Sequence, residues 1–230
     1  VSTKLAECID ANITRVENFN RVNYKGEFEA KVISNDARNL TCNAIDGISN
    51  DFGTITESIS LIITSPPYAG AQKYIRASSL SLGWLNFVKD AGGLKRLENE
   101  NIGREHYLKA EYQNFKKTGV EHADLILSSV YKDNPLRAHI ASNYLNEMRV
   151  AFEESARTLK KGGYFVLIAA NNKVCGRDFQ TQEYLTEIME NLGLKVILKM
   201  IDDIKSYGLM TKRNKTADII TREWIIVFQK

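Results

Sequence analysis

Apolar residues recur at helical spacing from the start of the chain. Leu5, Ile9, Ile13, Val16 and Phe19 mark one face of an amphipathic helix that Ser2 or Thr3 can cap and that Asn23 to Gly26 ends. The period then changes. Ala30 to Ser34 reads as a short strand running into Asn35-Asp36-Ala37-Arg38, and Ser60 to Thr64 as a second, almost wholly apolar strand stopped by Pro66-Pro67. Strands apolar on both faces belong in the interior of a parallel sheet.

From about Tyr74 to Arg137 the pattern loosens into helical segments rich in Lys, Glu and Asn, with Gly92-Gly93 and Gly103 as breaks. This stretch, about 74–140, reads as a mostly helical insertion. Ser142 to Leu159 returns to regular helix with Tyr144, Met148, Ala151, Phe152 and Ser155 on one face, and Lys160-Lys161-Gly162-Gly163 terminates it. Strand Tyr164 to Ala170 follows, then helix Glu183 to Leu192, strand Lys195 to Ile201, a basic loop from Ser206 to Arg222, and a last strand Glu223 to Gln229. Alternation of strand and helix predicts an α/β fold with a parallel, doubly wound sheet, in which the final strand can run antiparallel. Residues 1–230 read as a single domain.

Charge changes this picture little. The 31 basic and 28 acidic residues leave a net charge of +3, spread along the chain, which permits nucleic-acid binding without demonstrating it. Cys8, Cys42 and Cys175 are far apart, outside any C-x-x-C pattern, and His106, His122 and His139 have no metal-ligand spacing, so no metal is expected. No apolar run approaches the roughly 20 residues of a membrane helix, and no signal peptide opens the chain. A soluble, cytoplasmic protein with reduced thiols is the expectation.

The chemistry concentrates at Thr64-Ser65-Pro66-Pro67-Tyr68. The whole chain has three prolines, and two are adjacent here, between an apolar strand and an aromatic residue. In a doubly wound fold the ligand crevice lies at the carboxyl ends of the strands, which places Ser65 to Tyr68 on its rim. Two prolines fix two φ angles and remove two backbone donors, leaving rigid carbonyl acceptors. An exocyclic amine is the matching donor. Accepting its hydrogens through the Ser65 hydroxyl and the Pro66 carbonyl aims the nitrogen lone pair at an electrophilic methyl, so that rate comes from positioning. Tyr68 offers a flat face on which an extruded base can stack. The competing interpretation is structural: Ser-Pro-Pro-Tyr ends a strand and Tyr68 caps a core.

Thr64-Ser65-Pro66-Pro67-Tyr68 resembles the catalytic motif of amino-methyltransferases that use S-adenosylmethionine, in which Asp, Asn or Ser precedes Pro-Pro and an aromatic. The Ser form is associated mainly with N4-cytosine DNA methyltransferases. Similarity extends to Ser34-Asn35-Asp36-Ala37-Arg38-Asn39-Leu40, to Tyr74-Ile75-Arg76-Ala77 with Leu82-Gly83-Trp84-Leu85, to Ile102-Gly103-Arg104 and to Leu159-Lys160-Lys161-Gly162-Gly163-Tyr164-Phe165. The resemblance implies a Rossmann-like methyltransferase sheet, S-adenosylmethionine as cofactor, double-stranded DNA as substrate and a bacterial, archaeal or phage-encoded restriction-modification setting. It assigns Ser65, Pro66, Pro67 and Tyr68 to catalysis. Asp36 matches the acidic position that contacts the cofactor's adenine amine, with an Asx turn as the alternative, and Ser65 also borders the cofactor. Asn171 and Asn172, after the strand beside the catalytic one, line the base or cofactor pocket or else cap a loop. Lys212 and Arg213, in the basic loop, are candidate DNA phosphate contacts.

One part of the family pattern is absent. No Phe-x-Gly-x-Gly turn stands between a strand and a helix, and no ribose-binding acid follows it. The first two strands are missing with it. The chain therefore reads as the catalytic half of a methyltransferase, either a fragment or a split subunit whose partner polypeptide carries the cofactor-binding half. Methylation of adenine N6 or of an RNA base, and a non-catalytic DNA-binding subunit, are the competing functions.

Overall fold

The computed structural model describes residues 2–23, 32–40, 56–68, 74–205 and 220–230. The chain divides into two compact units, Val1–Val32 and Ile33–Lys230. The first contains helix α1, Ser2–Asn23, whose predicted apolar stripe is borne out as a stripe and is open: Leu5, Ile9, Ile13, Val16 and Phe19 are between 49% and 65% exposed.

The second unit is built on a four-stranded sheet. Its strands are β1 (Ile59–Thr64), β2 (Leu159–Ala169), β5 (Lys195–Asp203) and β6 (Arg222–Gln229), in the spatial order β1-β2-β6-β5, with β3 (Asn172–Val174) and β4 (Arg177–Phe179) forming a separate small hairpin. β1 and β2 are parallel, Thr64 opposite Leu167. β6 runs antiparallel to both neighbours, placing Ala169 and Ile201 beside Trp224. The last strand is thus inserted between its two predecessors, an arrangement of α/β type that the alternation predicted.

Between β1 and β2 run α2 (Tyr74–Trp84), α3 (Ala91–Glu100), a 3-10 turn at Lys109–Tyr112, α4 (Glu121–Asp133) and α5 (Pro135–Thr158), and α6 (Thr181–Asn191) precedes β5. The helical stretch after the motif is present, yet Gly92-Gly93 does not break it. Both glycines lie in the first turn of α3, where the Asp90 carboxylate caps the Gly93 N–H at 2.8 Å. Helix α5 begins earlier than its periodicity indicated because Asn134 caps the Arg137 N–H and Pro135 starts the first turn. Its end also differs. The helix stops at Thr158, and Lys160 to Gly163 already belong to β2 as a bulge, since Ile59 pairs with Leu159 but Leu61 with Tyr164. Gly162 has a φ of +75° there and donates its N–H to the Lys230 carbonyl.

Alternate residues of β2 and β6 fall on opposite faces. Phe165, Leu167, Ala169, Ile226 and Phe228 point to the covered face, where α4, α5 and α6 pack, and Phe165 meets Phe152 and Phe228 edge-on at 5.7 and 6.3 Å. The other face carries Leu61, Ile63, Tyr164, Leu198 and Met200, each 42% to 65% exposed. Among the described residues nothing pairs with the outer edge of β1. The predicted strand at Ala30 to Ser34 is not one over its described part; residues 32–40 form turns. No described helix is long and apolar enough to cross a membrane.

Candidate active site

β1 delivers Thr64-Ser65-Pro66-Pro67-Tyr68 to the carboxyl end of the sheet. Ser65 is exposed there, Pro66 is buried and Tyr68 half-buried. Because β6 enters antiparallel, its first residues arrive at the same end, and this brings Glu223 to the motif across 155 positions of sequence. The Tyr68 hydroxyl donates to Glu223 Oε1 at 2.5 Å, and the Ser65 hydroxyl, nearby, acts on the same phenol to lower its pKa. The Tyr68 N–H donates to the Tyr74 hydroxyl at 3.1 Å. These contacts hold Tyr68 at both ends. Burial, first, and the Glu223 carboxylate push its phenol well above the ordinary tyrosine range, so it remains a neutral donor. Tyr144 of α5, 1% exposed, lies within electrostatic reach of Tyr68 and Tyr74, and its hydroxyl has no hydrogen-bond partner among the described residues.

A turn at residues 34–40 borders the same region. Asp36 accepts the Arg38 N–H at 2.9 Å, closing an Asx turn, and grips the Arg38 guanidinium through both oxygens at 2.9 to 3.1 Å. That side-chain contact holds the Asp36 carboxyl below its ordinary range. Arg38 extends the network to the Glu100 carbonyl at 2.8 Å and to Glu147 of α5 at 3.3 Å. Further along, the Leu40 N–H donates to Glu154 of α5 at 3.0 Å. The turn is therefore tied to α5 at two points. Sequence reasoning missed Arg38 and both glutamates; the one available signal was the Asp-x-Arg spacing.

Between this turn, β1 and α5 opens a cavity of about 530 Å³, within the usual range of small-molecule sites. Ala37, Leu40, Ile62, Met148 and Phe152 give it apolar walls, Thr64, Ser65, Ser155 and Thr158 its hydroxyls, and Pro66 and Pro67 one lip. Among the described residues no ionised side chain lines it. Asp36, Tyr68, Asn171 and Asn172 are outside the lining.

The remaining predicted residues are dispersed. The Asn171 carboxamide accepts the Gln182 N–H at 3.1 Å and so caps α6. Asn172 opens the β3-β4 hairpin opposite Phe179. Lys212 and Arg213 lie outside the described residues, although Lys205 and Ile220, which flank that stretch, sit at the motif's end of the sheet. In the insertion, cations are matched by acids: Arg104 with Glu111 at 2.6 Å and Arg137 with Glu105 at 3.5 Å. His139 is buried against Tyr107, ring centroids 4.5 Å apart, and burial lowers its pKa. Among the described residues there is no metal-binding group of His, Cys, Asp or Glu, and no strand-Gly-x-Gly-helix turn.

No protein-family model matches the chain, and no curated protein matches its sequence. Solved structures give partial likenesses. A protein described as a DNA modification methylase from Thermus thermophilus, complexed with S-adenosyl-L-methionine, is 17% identical over 76% of this chain and 48% of its own, with a TM-score of 0.35. Its selenomethionine derivative aligns over 85% and 50% at 16% identity and a TM-score of 0.34. A SAM-dependent methyltransferase from Methanosarcina mazei covers 36% of this chain and 51% of its own at 13% identity, with a TM-score of 0.25. The chain spans about half the length of these structures.

Proposed function

We propose that this chain is the catalytic half of a DNA methyltransferase that moves a methyl group from S-adenosylmethionine to the exocyclic amine of a flipped base, N4 of cytosine in the favoured case. The observation that carries this reading is the Ser65-Pro66-Pro67-Tyr68 segment on the rim of an α/β sheet, beside an apolar cavity. Ser65 Oγ and the Pro66 carbonyl accept from the amine, and the Tyr68 ring supports the base. Bound S-adenosylmethionine supplies an electrophilic methyl. The cavity fits its purine end, since the walls are apolar with hydroxyls at the margin, and Asp36 serves that end by closing, with Arg38, the turn that carries Ala37. The described residues offer nothing for the ribose or for the charged amino-acid end.

A complementing segment, in the same or another polypeptide, fills that deficit in this reading. The β1 edge, unpaired among the described residues, and the exposed apolar face beside it support one, because unpaired edges and large apolar patches seek partners. Lys212 and Arg213 are assigned to DNA phosphates.

The test is methyl transfer to double-stranded DNA by the chain supplied with a segment bearing a Phe-x-Gly-x-Gly turn, with the modified nucleoside identified by mass spectrometry. N4-methylcytosine is the expected product; N6-methyladenine or a modified RNA base would move the assignment to that base. Ser65→Ala and Tyr68→Ala should each cost at least about 10²-fold in kcat. Unchanged methylation by both variants would remove the motif from catalysis and leave a DNA-binding subunit.

A further inference from the structure

Tyr68 reaches the rim with little freedom left in its backbone. Pro66 and Pro67 fix the φ angles ahead of it, and its own N–H donates to the Tyr74 hydroxyl at 3.1 Å. What remains open is the side chain, whose torsions decide where the ring face points. One contact closes them. The Tyr68 hydroxyl donates to Glu223 Oε1 at 2.5 Å, the length of a hydrogen bond to a charged carboxylate, which is stronger than one between neutral groups.

Glu223 is fixed in turn by the sheet. It stands one residue before Trp224, which pairs with Ala169 of β2, and directly opposite Asp202 of β5. Among the described residues no cation pairs with Glu223, and the adjacent Arg222 is held by Asp203 at 2.7 Å. The cross-strand neighbour Asp202 is a like charge, which disfavours a carboxylate at this position. An ion pair therefore does not account for this half-buried acid, whereas the Tyr68 phenol does.

Resting on the methyltransferase reading, we propose that Glu223 is a positioning residue that locks the Tyr68 ring in the orientation that receives the flipped base. The single proton of the hydroxyl is spent on this anchor, so Tyr68 meets the base through its ring face. A face held in place before the base arrives loses no rotamer freedom when the base stacks on it. The same contact separates tyrosine from phenylalanine at position 68. Phenylalanine keeps the stacking face and loses the anchor.

A double-mutant cycle on methylation by the complemented enzyme tests this. Glu223→Leu and Tyr68→Phe should each lower kcat by about 10-fold, the loss expected for one charge-assisted hydrogen bond, with KM for DNA nearly unchanged. The double variant should be no slower than either single one, since both remove the same contact. Glu223→Gln leaves an acceptor oxygen in place and should recover most of the rate. A second readout needs no turnover. With labelled tyrosine, and Tyr68→Phe for assignment, three-bond nuclear magnetic resonance couplings should report one χ1 rotamer for Tyr68 in the wild-type and Glu223→Gln enzymes and averaged rotamers in Glu223→Leu. In an enzyme whose wild type methylates DNA, full kcat in Glu223→Leu, losses that multiply in the double variant, or an unaltered rotamer in Glu223→Leu would each overturn the positioning role and leave the functional reading standing. A wild-type enzyme that methylates no base would overturn the functional reading, and this role with it.

Discussion

At the residue scale, the ion pairs that fasten the 34–40 turn make its stability depend on acid in a predictable direction. Asp36 is held below its ordinary range by Arg38, and Glu154 by Arg157. A carboxyl with a depressed pKa in the folded chain adds stability above its unfolded value, about 4, and loses it as pH falls through the lower folded value. Both groups are partly exposed, so solvent screens the contribution. The urea midpoint should fall as pH is lowered from about 5 toward about 2, a window set by these directions, and Arg38→Ala should flatten part of that fall. An identical pH slope in the variant would show that the pair contributes nothing. The acidic position at Asp36 was legible as a turn or a site. Its actual partner, Arg38, is two residues away, but Glu147 and Glu154 come from α5, over 100 positions distant.

At the scale of elements, the junction of α5 and β2 is where pattern and structure diverge most usefully. Lys-Lys-Gly-Gly has the composition of a helix terminator, and cations with αL-capable glycines favour that interpretation locally. In the fold the helix has already ended at Thr158, and the four residues are taken into β2 as a bulge that restores pairing with β1. Gly163 is confined there: an added Cβ would lie 2.8 Å from the Lys160 carbonyl and 3.0 Å from Leu159 Cδ1. Gly163→Ala should therefore destabilise the chain by about 1–3 kcal/mol, measured by urea unfolding with two probes. A neutral result would mean the bulge relaxes freely. Elements with strong apolar periodicity, α1, α5, α6, β1, β5 and β6, were all legible, with end errors of the kind that capping residues such as Asn134 produce.

At the scale of the whole molecule, the described sheet is covered on one face and unpaired along β1. Leu61 and Ile63 are exposed at 51% and 65% in strands that, judged by their composition, belong to a sheet interior. Such an edge templates pairing. The chain on its own should self-associate with rising concentration in sedimentation velocity, and Ile63→Lys should return it toward the monomer while leaving its melting temperature nearly unchanged. Concentration-independent sedimentation of the wild-type chain would rule out that open edge as an association surface.

What the sequence determined by itself was local: periodicity specified the helices and strands, and the adjacency of Pro66 and Pro67 after an apolar strand marked the rim where chemistry is expected. Tertiary structure alone decided which residues meet at that rim. Glu223 reaches Tyr68 only because β6 inserts antiparallel between β2 and β5, and the register of that pairing is a property of the assembled sheet. A strand's own pattern states which face it buries, and it carries no information about which neighbour it will lie against.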